Sequence, residues 1–127
     1  RNEMNKKHIT HGKLKVFMIL FLAVILIVLV VVCAKKIKLS QNEKNIIGTW
    51  KNSNSENVIT VQDSDTLILY NDIPEAGLYH GNASYHFSYT DTICVTQDDI
   101  SAEFCVDVDE NQLIIYFAGQ VYLVLQK

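Results

Sequence analysis

Several acidic and amide side chains near the C-terminus are spaced like the start of a calcium loop. Asp107-x-Asp109-x-Asn111 offers the oxygen ligands with which such a loop opens. The pattern then fails, because Gln112 stands where the loop needs Gly and Ala118 stands where it needs a bidentate Glu. We interpret these residues as a hairpin turn with solvated acids, with weak calcium binding as the alternative.

Two histidines, His80 and His86, lie on neighbouring segments but have no third ligand at metal spacing, so a zinc site is not expected. The sequence contains no nucleophile-elbow pattern, no phosphate-binding Gly-rich loop and no His-Glu-x-x-His motif. We therefore expect no catalytic residues, no metal and no cofactor, and we expect that the chain is not an enzyme.

The cysteines at positions 94 and 105 suggest a disulfide. A hairpin register that pairs Gln97 with Ala102 across residues 98–101 places Cys94 directly opposite Cys105. Directly opposed residues have Cβ atoms about 4.5–5.5 Å apart, which is near disulfide reach. A disulfide between Cys94 and Cys105 is therefore predicted, and two free thiols are the alternative. There is no Cys-x-x-Cys motif, so redox activity is not expected.

The sequence predicts that residues 16–34 form a membrane-spanning segment. These nineteen residues contain no charged side chain, and fifteen of them are Leu, Ile, Phe or Val. A helix of this length spans about 28 Å, close to the roughly 30 Å hydrocarbon core of a bilayer. The valine-rich run at positions 28–32 would favour a strand in water, but in lipid only a helix satisfies its own backbone. We expect residues 16–34 to contact membrane lipid.

Lysines flank both ends of the apolar stretch, four before it and three after it, and this small excess together with the acidic domain that follows predicts the topology. Residues 1–15 form a basic segment expected in the cytoplasm, residues 35–45 a polar linker, and residues 46–127 a domain outside the cytoplasm. Met4 is a plausible initiator. A retained signal-anchor is the main expectation. The alternatives are cleavage after the small residues near Ala34 and lipidation at Cys33, and both also place the domain outside.

Charge separates the two parts of the chain. Residues 1–39 carry eight Lys or Arg against one Glu, a net charge of +7, whereas residues 40–127 carry three Lys against thirteen Asp or Glu, a net charge of −10. Because an acidic domain repels phosphate, we expect no nucleic-acid partner.

The C-terminal domain alternates apolar and polar residues with turn residues every 8–12 positions, which predicts an all-β fold. The short connections favour a small antiparallel meander barrel. Nine strands are predicted, at residues 48–51, 57–62, 66–71, 77–80, 83–89, 92–97, 102–108, 112–118 and 121–126.

Ile47-Gly48-Thr49-Trp50 resembles the Gly-x-Trp signature of lipocalin-like (calycin) barrels, and the later strand–turn–strand units resemble small bacterial domains of that type. The resemblance covers about residues 46–127. It implies that Gly48 and Trp50 form a structural plug at one barrel end, with Trp50 covered by a basic residue of the last strand, for which Lys127 is the match.

The size of the domain predicts an interior filled by side chains, with a small apolar pocket as the alternative. Three aromatic residues, Tyr85, Phe87 and Tyr89, alternate with polar ones and are expected to face this interior.

The last two predicted strands are apolar on both faces. One row must face the core. The second row, Ile114, Tyr116, Tyr122 and Val124, is either covered by Ile46, Ile47 or the loop at residues 71–75, or exposed as a partner surface. The sequence thus predicts a membrane-anchored, extracytoplasmic, non-enzymatic binding module. The alternatives are a carrier of a small apolar ligand and an accessory subunit of a larger membrane complex.

Overall fold

The computed structural model describes residues 2–127, with side chains from residue 12 onward. Within these residues there is one α-helix, α1 (Asn2–Asn45), followed by eight strands. The chain divides into two compact units, the first ending at Lys36 and the second being Ile37–Lys127. Arg1 and the side chains of Lys6 and Lys7, which belong to the predicted basic segment, lie outside the described residues.

Helix α1 contains the apolar stretch predicted at residues 16–34. Its side chains are exposed, and Phe17 and Val30 each retain 67% of their accessible surface. Within the described part of the chain, α1 is the one helix whose length and composition allow it to cross a membrane. The helix does not end at residue 34. It continues through residues 35–45, where the sequence predicted a linker.

The second unit contains a closed antiparallel barrel in which each strand pairs with its neighbour in sequence. This finding confirms the predicted all-β meander behind an N-terminal apolar helix. The strands are β1 (Gly48–Lys51), β2 (Asn57–Val61), β3 (Thr66–Leu69), β4 (Gly81–Tyr89), β5 (Thr92–Gln97), β6 (Ile100–Val108), β7 (Gln112–Phe117) and β8 (Gln120–Gln126).

Two-residue turns set the register of three hairpins. Residues 90–91 join β4 to β5, residues 98–99 join β5 to β6, and residues 118–119 join β7 to β8. Ala118 and Gly119 have φ angles of 52° and 79°. Positive φ at both central residues is the conformation of a type I′ turn, whose twist matches that of the flanking strands.

The barrel core follows the period of two that the sequence predicted. In β6, Phe104, Val106 and Val108 are buried, and the residues between them face outward. In β4, Tyr85 is buried and Phe87 packs against the core, but Tyr89 is 70% exposed. A register shift between Phe87 and Tyr89 turns Tyr89 outward, so the expectation that it faces the interior is wrong.

The fourth of the nine predicted strands, at residues 77–80, is absent. Residues 71–80 instead form a compact loop, called here the strap, which contains a 3-10 turn at Pro74–Ala76 and an isolated bridge between Ile73 and Leu78. Gly77 ends the turn at φ 74°. Both bridge residues are buried, at 7% and 0% exposure. Their burial in the core explains why this short segment looked like a strand.

Candidate functional site

Trp50 is completely buried at one end of the barrel. Its Nε1 donates a hydrogen bond of 2.8 Å to the backbone oxygen of Ile46. Ile46 is itself buried, and its backbone N–H donates to the oxygen of Asn42 at 3.0 Å. The indole therefore joins the end of α1 to the first strand, and Trp50 has a structural role.

Lys127 covers the same indole. Its Nζ lies 5.0 Å from the centre of the Trp50 ring and donates to the backbone oxygen of Asn45 at 3.1 Å. Gly48 lies beneath this lysine, because a Cβ on Gly48 would come within 2.6 Å of Lys127 Cε. Gly48 also has a φ of 138°, a conformation that L side chains rarely adopt. The φ angle is the ground that favours glycine here, whereas the flexible Lys127 side chain would have to move away from a Cβ.

The barrel interior is nearly full. The side chains leave a cavity of about 20 Å³, and all but two of the residues around it are aliphatic residues or Phe. Such a volume holds about one water molecule. Eight-stranded barrels are commonly just wide enough for their own side chains. In this conformation the interior has no room for a small apolar ligand.

The strap covers part of the barrel beside β8. The phenol of Tyr122 donates to Glu75 Oε2 of the strap at 3.0 Å. Tyr122 also packs against the core. The pKa of Tyr122 is raised, first by desolvation and then by the hydrogen bond to the Glu75 carboxylate and by its charge. Tyr122 is thus a contact between β8 and the strap.

The outer surface of the last hairpin differs from the prediction at this residue. Ile114 opposes Val124, and Tyr116 opposes Val121, with a register shift between Ile115 and Tyr116. The shift leaves Tyr122 as the extra residue in β8, so its side chain leaves the outer row. The structure therefore brings together Ile114, Tyr116, Val121 and Val124, which we call the apolar outer surface. Its two valines are 58% and 50% exposed.

The predicted disulfide is wrong, and the three cysteines are free. Because β5 and β6 are joined by only two residues, Gln97 opposes Ile100 rather than Ala102. Cys94 consequently opposes Glu103, and Cys105 opposes Thr92. Diagonal neighbours lie about 7–8 Å apart, which is too far for a disulfide without movement of the backbone.

His80 and His86 are not grouped with further ligands for a metal ion among the described side chains. His80 Nδ1 lies 2.7 Å from Asp72 Oδ1, and both side chains are exposed. The pKa of Asp72 is lowered, chiefly because its carboxylate accepts the backbone N–H of His80 at 2.9 Å. His86 opposes Cys94 on the β4–β5 pair. Among the side chains that the structure describes, no three His, Cys, Asp or Glu residues are grouped to hold a metal ion.

Of the acids at residues 107–111, Asp109 and Glu110 lie in the β6–β7 turn, whereas Asp107 belongs to β6 and opposes Ile114. Asp109 Oδ1 accepts the backbone N–H groups of Asn111 and Gln112 at 2.8 and 2.7 Å. These two hydrogen bonds lower the pKa of Asp109. The side chain that resembled a calcium ligand thus closes the β6–β7 hairpin.

A groove borders the last turns of α1, the β2–β3 turn and β4. Its carboxylates are Glu43, Asp63 and Asp65. The phenol of Tyr85 donates to the oxygen of Gln62 at 3.2 Å. Its pKa is raised first by burial and then by these three negative charges. The groove is acidic, like the domain as a whole.

Asn42 is a structural contact that the sequence did not reveal. It is 2% exposed, and its Nδ2 donates to the oxygen of Thr90 at 2.8 Å. Asn42 thereby fastens the end of α1 to the β4–β5 turn. A single polar residue in a segment that looked like a linker carries no signal of this burial.

Comparison with known proteins gives no match: no family model, no curated protein and no solved structure is significantly similar to this chain.

Proposed function

We propose that this chain is a membrane-tethered, extracytoplasmic, lipocalin-like module that has no enzymatic activity and binds a protein partner on the outside of its barrel. The observation that carries the proposal is the filled interior. With a cavity of about 20 Å³, the binding surface is the outside of the barrel.

The lipocalin-like assignment is supported by the arrangement at the barrel end. Gly48 and Trp50 stand at the start of β1, the indole is buried, and Lys127 lies over its ring. This is the arrangement that the resemblance implied for a Gly-x-Trp barrel. The closed eight-strand meander agrees with it.

The tether is supported by α1, whose apolar side chains are exposed at residues 16–32. In water this stretch would expose a large apolar area, whereas in lipid it is favourably solvated. Four lysines precede the stretch and three follow it, and this small excess together with the acidic domain favours a cytoplasmic N-terminus. The barrel then lies outside the cytoplasm.

The partner surface is supported by the apolar outer surface. Exposed apolar residues that adjoin one another on a sheet commonly mark protein contacts. Tyr116 offers the large side chain typical of residues that dominate binding energy. In this conformation the cavity in the barrel interior is too small to hold a carried ligand. The outer surface is therefore the better candidate for binding.

A photo-crosslinking experiment in cells tests the proposal. A photoreactive residue replaces Val124 in the full-length chain, and a second variant carries it at Tyr89 on β4, also exposed. We expect a discrete crosslinked protein species from position 124 and none from position 89. Adding Tyr116→Ser should abolish the species and leave the melting temperature nearly unchanged. Equal crosslinking at both positions, or none at 124, contradicts the proposal.

A further inference from the structure

The barrel is closed by a single residue pair on one side of β8. β8 pairs with β7 over its whole length, but it meets β1 only where Gln126 opposes Lys51. β1 has four residues, and the loop after it, in which Asn52 Oδ1 accepts the N–H groups of Asn54 and Glu56, borders a space beside Val124 without pairing with β8. Among the described strands, none pairs with the outer edge of residues 120–125.

This open edge lies beside a groove. The groove, of about 60 Å³, lies between β8 and the strap and is lined by Tyr122, Leu123, Ile73 and Asp72 among others. Its volume is several times the space that one water needs. The edge and the groove together are called the β8 seam. An edge with an adjoining apolar groove is the arrangement that accepts an added strand.

The seam lacks most of the devices that protect strand edges. Natural edges are commonly protected by Lys, Pro or inward-pointing charges. Residues 120–126 contain none of these. The side chain of Val121 is 58% exposed and that of Val124 is 50% exposed. The register shift at Tyr122 is the one protective irregularity and leaves Leu123–Leu125 as the regular part. A docked strand would therefore make few main-chain hydrogen bonds and need side-chain contacts as well.

Charge at the seam favours one class of occupant. Asp72 and Glu75 lie at its strap end, and residues 40–127 have a net charge of −10. A second copy of the chain carries the same net negative charge and would be repelled as a whole. A segment carrying Lys or Arg would be attracted both from a distance and in contact.

We propose that the β8 seam receives an extended segment of another protein, an inference that rests on the proposed function. The segment has aliphatic or β-branched residues at alternate positions and Lys or Arg at the end that lies against Glu75. In an antiparallel arrangement this basic end is the C-terminal end of the segment, because β8 begins at the strap.

Fluorescence polarisation tests this proposal on the full-length chain in zwitterionic detergent micelles. The probe is a labelled peptide of sequence TVTVTVKK. Three matched peptides are TVTVTVEE, the reversed arrangement KKTVTVTV, and TVTVTVKK with N-methylated valines. We expect saturable binding of the first peptide and at least about tenfold weaker binding of the glutamate and N-methylated peptides, with KKTVTVTV intermediate.

A protein variant tests the charge. Glu75→Gln keeps an oxygen to accept the Tyr122 hydrogen bond but removes the charge. It should weaken the binding of TVTVTVKK about twofold to fivefold. Asp63→Asn on the distant β2–β3 turn is the matched control and should leave the affinity within about twofold.

Three results overturn the proposal. The first is no saturable binding of TVTVTVKK up to about 1 mM. The second is equal binding of its N-methylated form. The third is a concentration-dependent dimer in sedimentation that the peptide dissociates, because a second copy would then be the occupant. Failure here is distinguishable from failure of the proposed function. If the seam is wrong but the function is right, crosslinking from position 124 persists although the peptide does not bind.

Discussion

Lys127 lies over the face of Trp50, with its Nζ 5.0 Å from the ring centre, and simultaneously donates to the backbone oxygen of Asn45. The last residue of the chain thus joins the end of α1 to the first strand of the barrel. A cation over an indole is stabilising by about 0.5–1 kcal/mol at an exposed site. The contact closes the end of the barrel at which the chain enters and leaves it.

Trp50→Phe should reduce the free energy of unfolding by about 2–4 kcal/mol. The substitution leaves a cavity in a fully buried position and removes the donor for the Ile46 oxygen. Urea unfolding followed by circular dichroism measures the change. A loss below about 0.5 kcal/mol, the range of ordinary surface substitutions, would show that the indole does not close the barrel.

Gly48→Ala should destabilise the domain by about 1–3 kcal/mol. The new Cβ would displace Lys127 from the indole, and alanine at φ 138° is strained. In a Lys127→Ala background the clash is absent, so only the strain remains and the loss should be smaller. The double-mutant cycle on unfolding free energies measures this coupling. Additive effects of the two substitutions would refute the predicted contact.

Ala118→Asn should stabilise the domain by about 0.5–1 kcal/mol. Ala118 has a φ of 52°, which is unfavourable for alanine, whereas Asn followed by Gly is the preferred type I′ pair. Thermal unfolding compares this variant with Ala118→Val, which should destabilise because a β-branched residue tolerates positive φ poorly. A lower melting temperature for the Asn variant than for the wild type would mean that this turn has another conformation.

Asp109→Ala should lower the urea midpoint at pH 7 through the loss of two hydrogen bonds to the hairpin backbone. Because folding lowers the pKa of Asp109, its charged form stabilises the domain above the ordinary value of 3.8, and this stabilisation is lost as the pH falls through the lower folded pKa. The difference from the wild type should therefore shrink in acid. Asp107→Ala, which removes the same charge from an exposed position, is the control. A difference that does not change with pH would contradict this role.

Much of the architecture could be predicted because it depends on local periodicity. The apolar stretch before Lys35 predicted α1, and alternation in residues such as Phe104 and Val106 predicted the strands. The observed β1 and β5 have the predicted bounds. The continuation of α1 to Asn45 was not predicted, because this polar stretch is held by tertiary contacts such as that of Asn42 rather than by an amphipathic pattern.

Register was beyond what the sequence could specify. Residues 98–101 suit either a two-residue or a four-residue connection, and Asp98 takes a φ of 54° that favours the shorter one. The resulting shift separates Cys94 from Cys105. In the same way, no local signal marks the register shift that moves Tyr122 off the outer row. These features depend on how neighbouring strands meet, and one residue of difference exchanges the two faces of a strand.

Labelling of Cys105 tests whether α1 holds the barrel on the outer side of a membrane. Cys105 is exposed and free. In a full-length Cys33→Ser, Cys94→Ser background it is the sole thiol, and Cys105→Ser provides the blank. We predict that a membrane-impermeant maleimide labels Cys105 equally in intact spheroplasts and after lysis. Labelling that appears only after lysis would place the barrel in the cytoplasm and overturn the proposed topology.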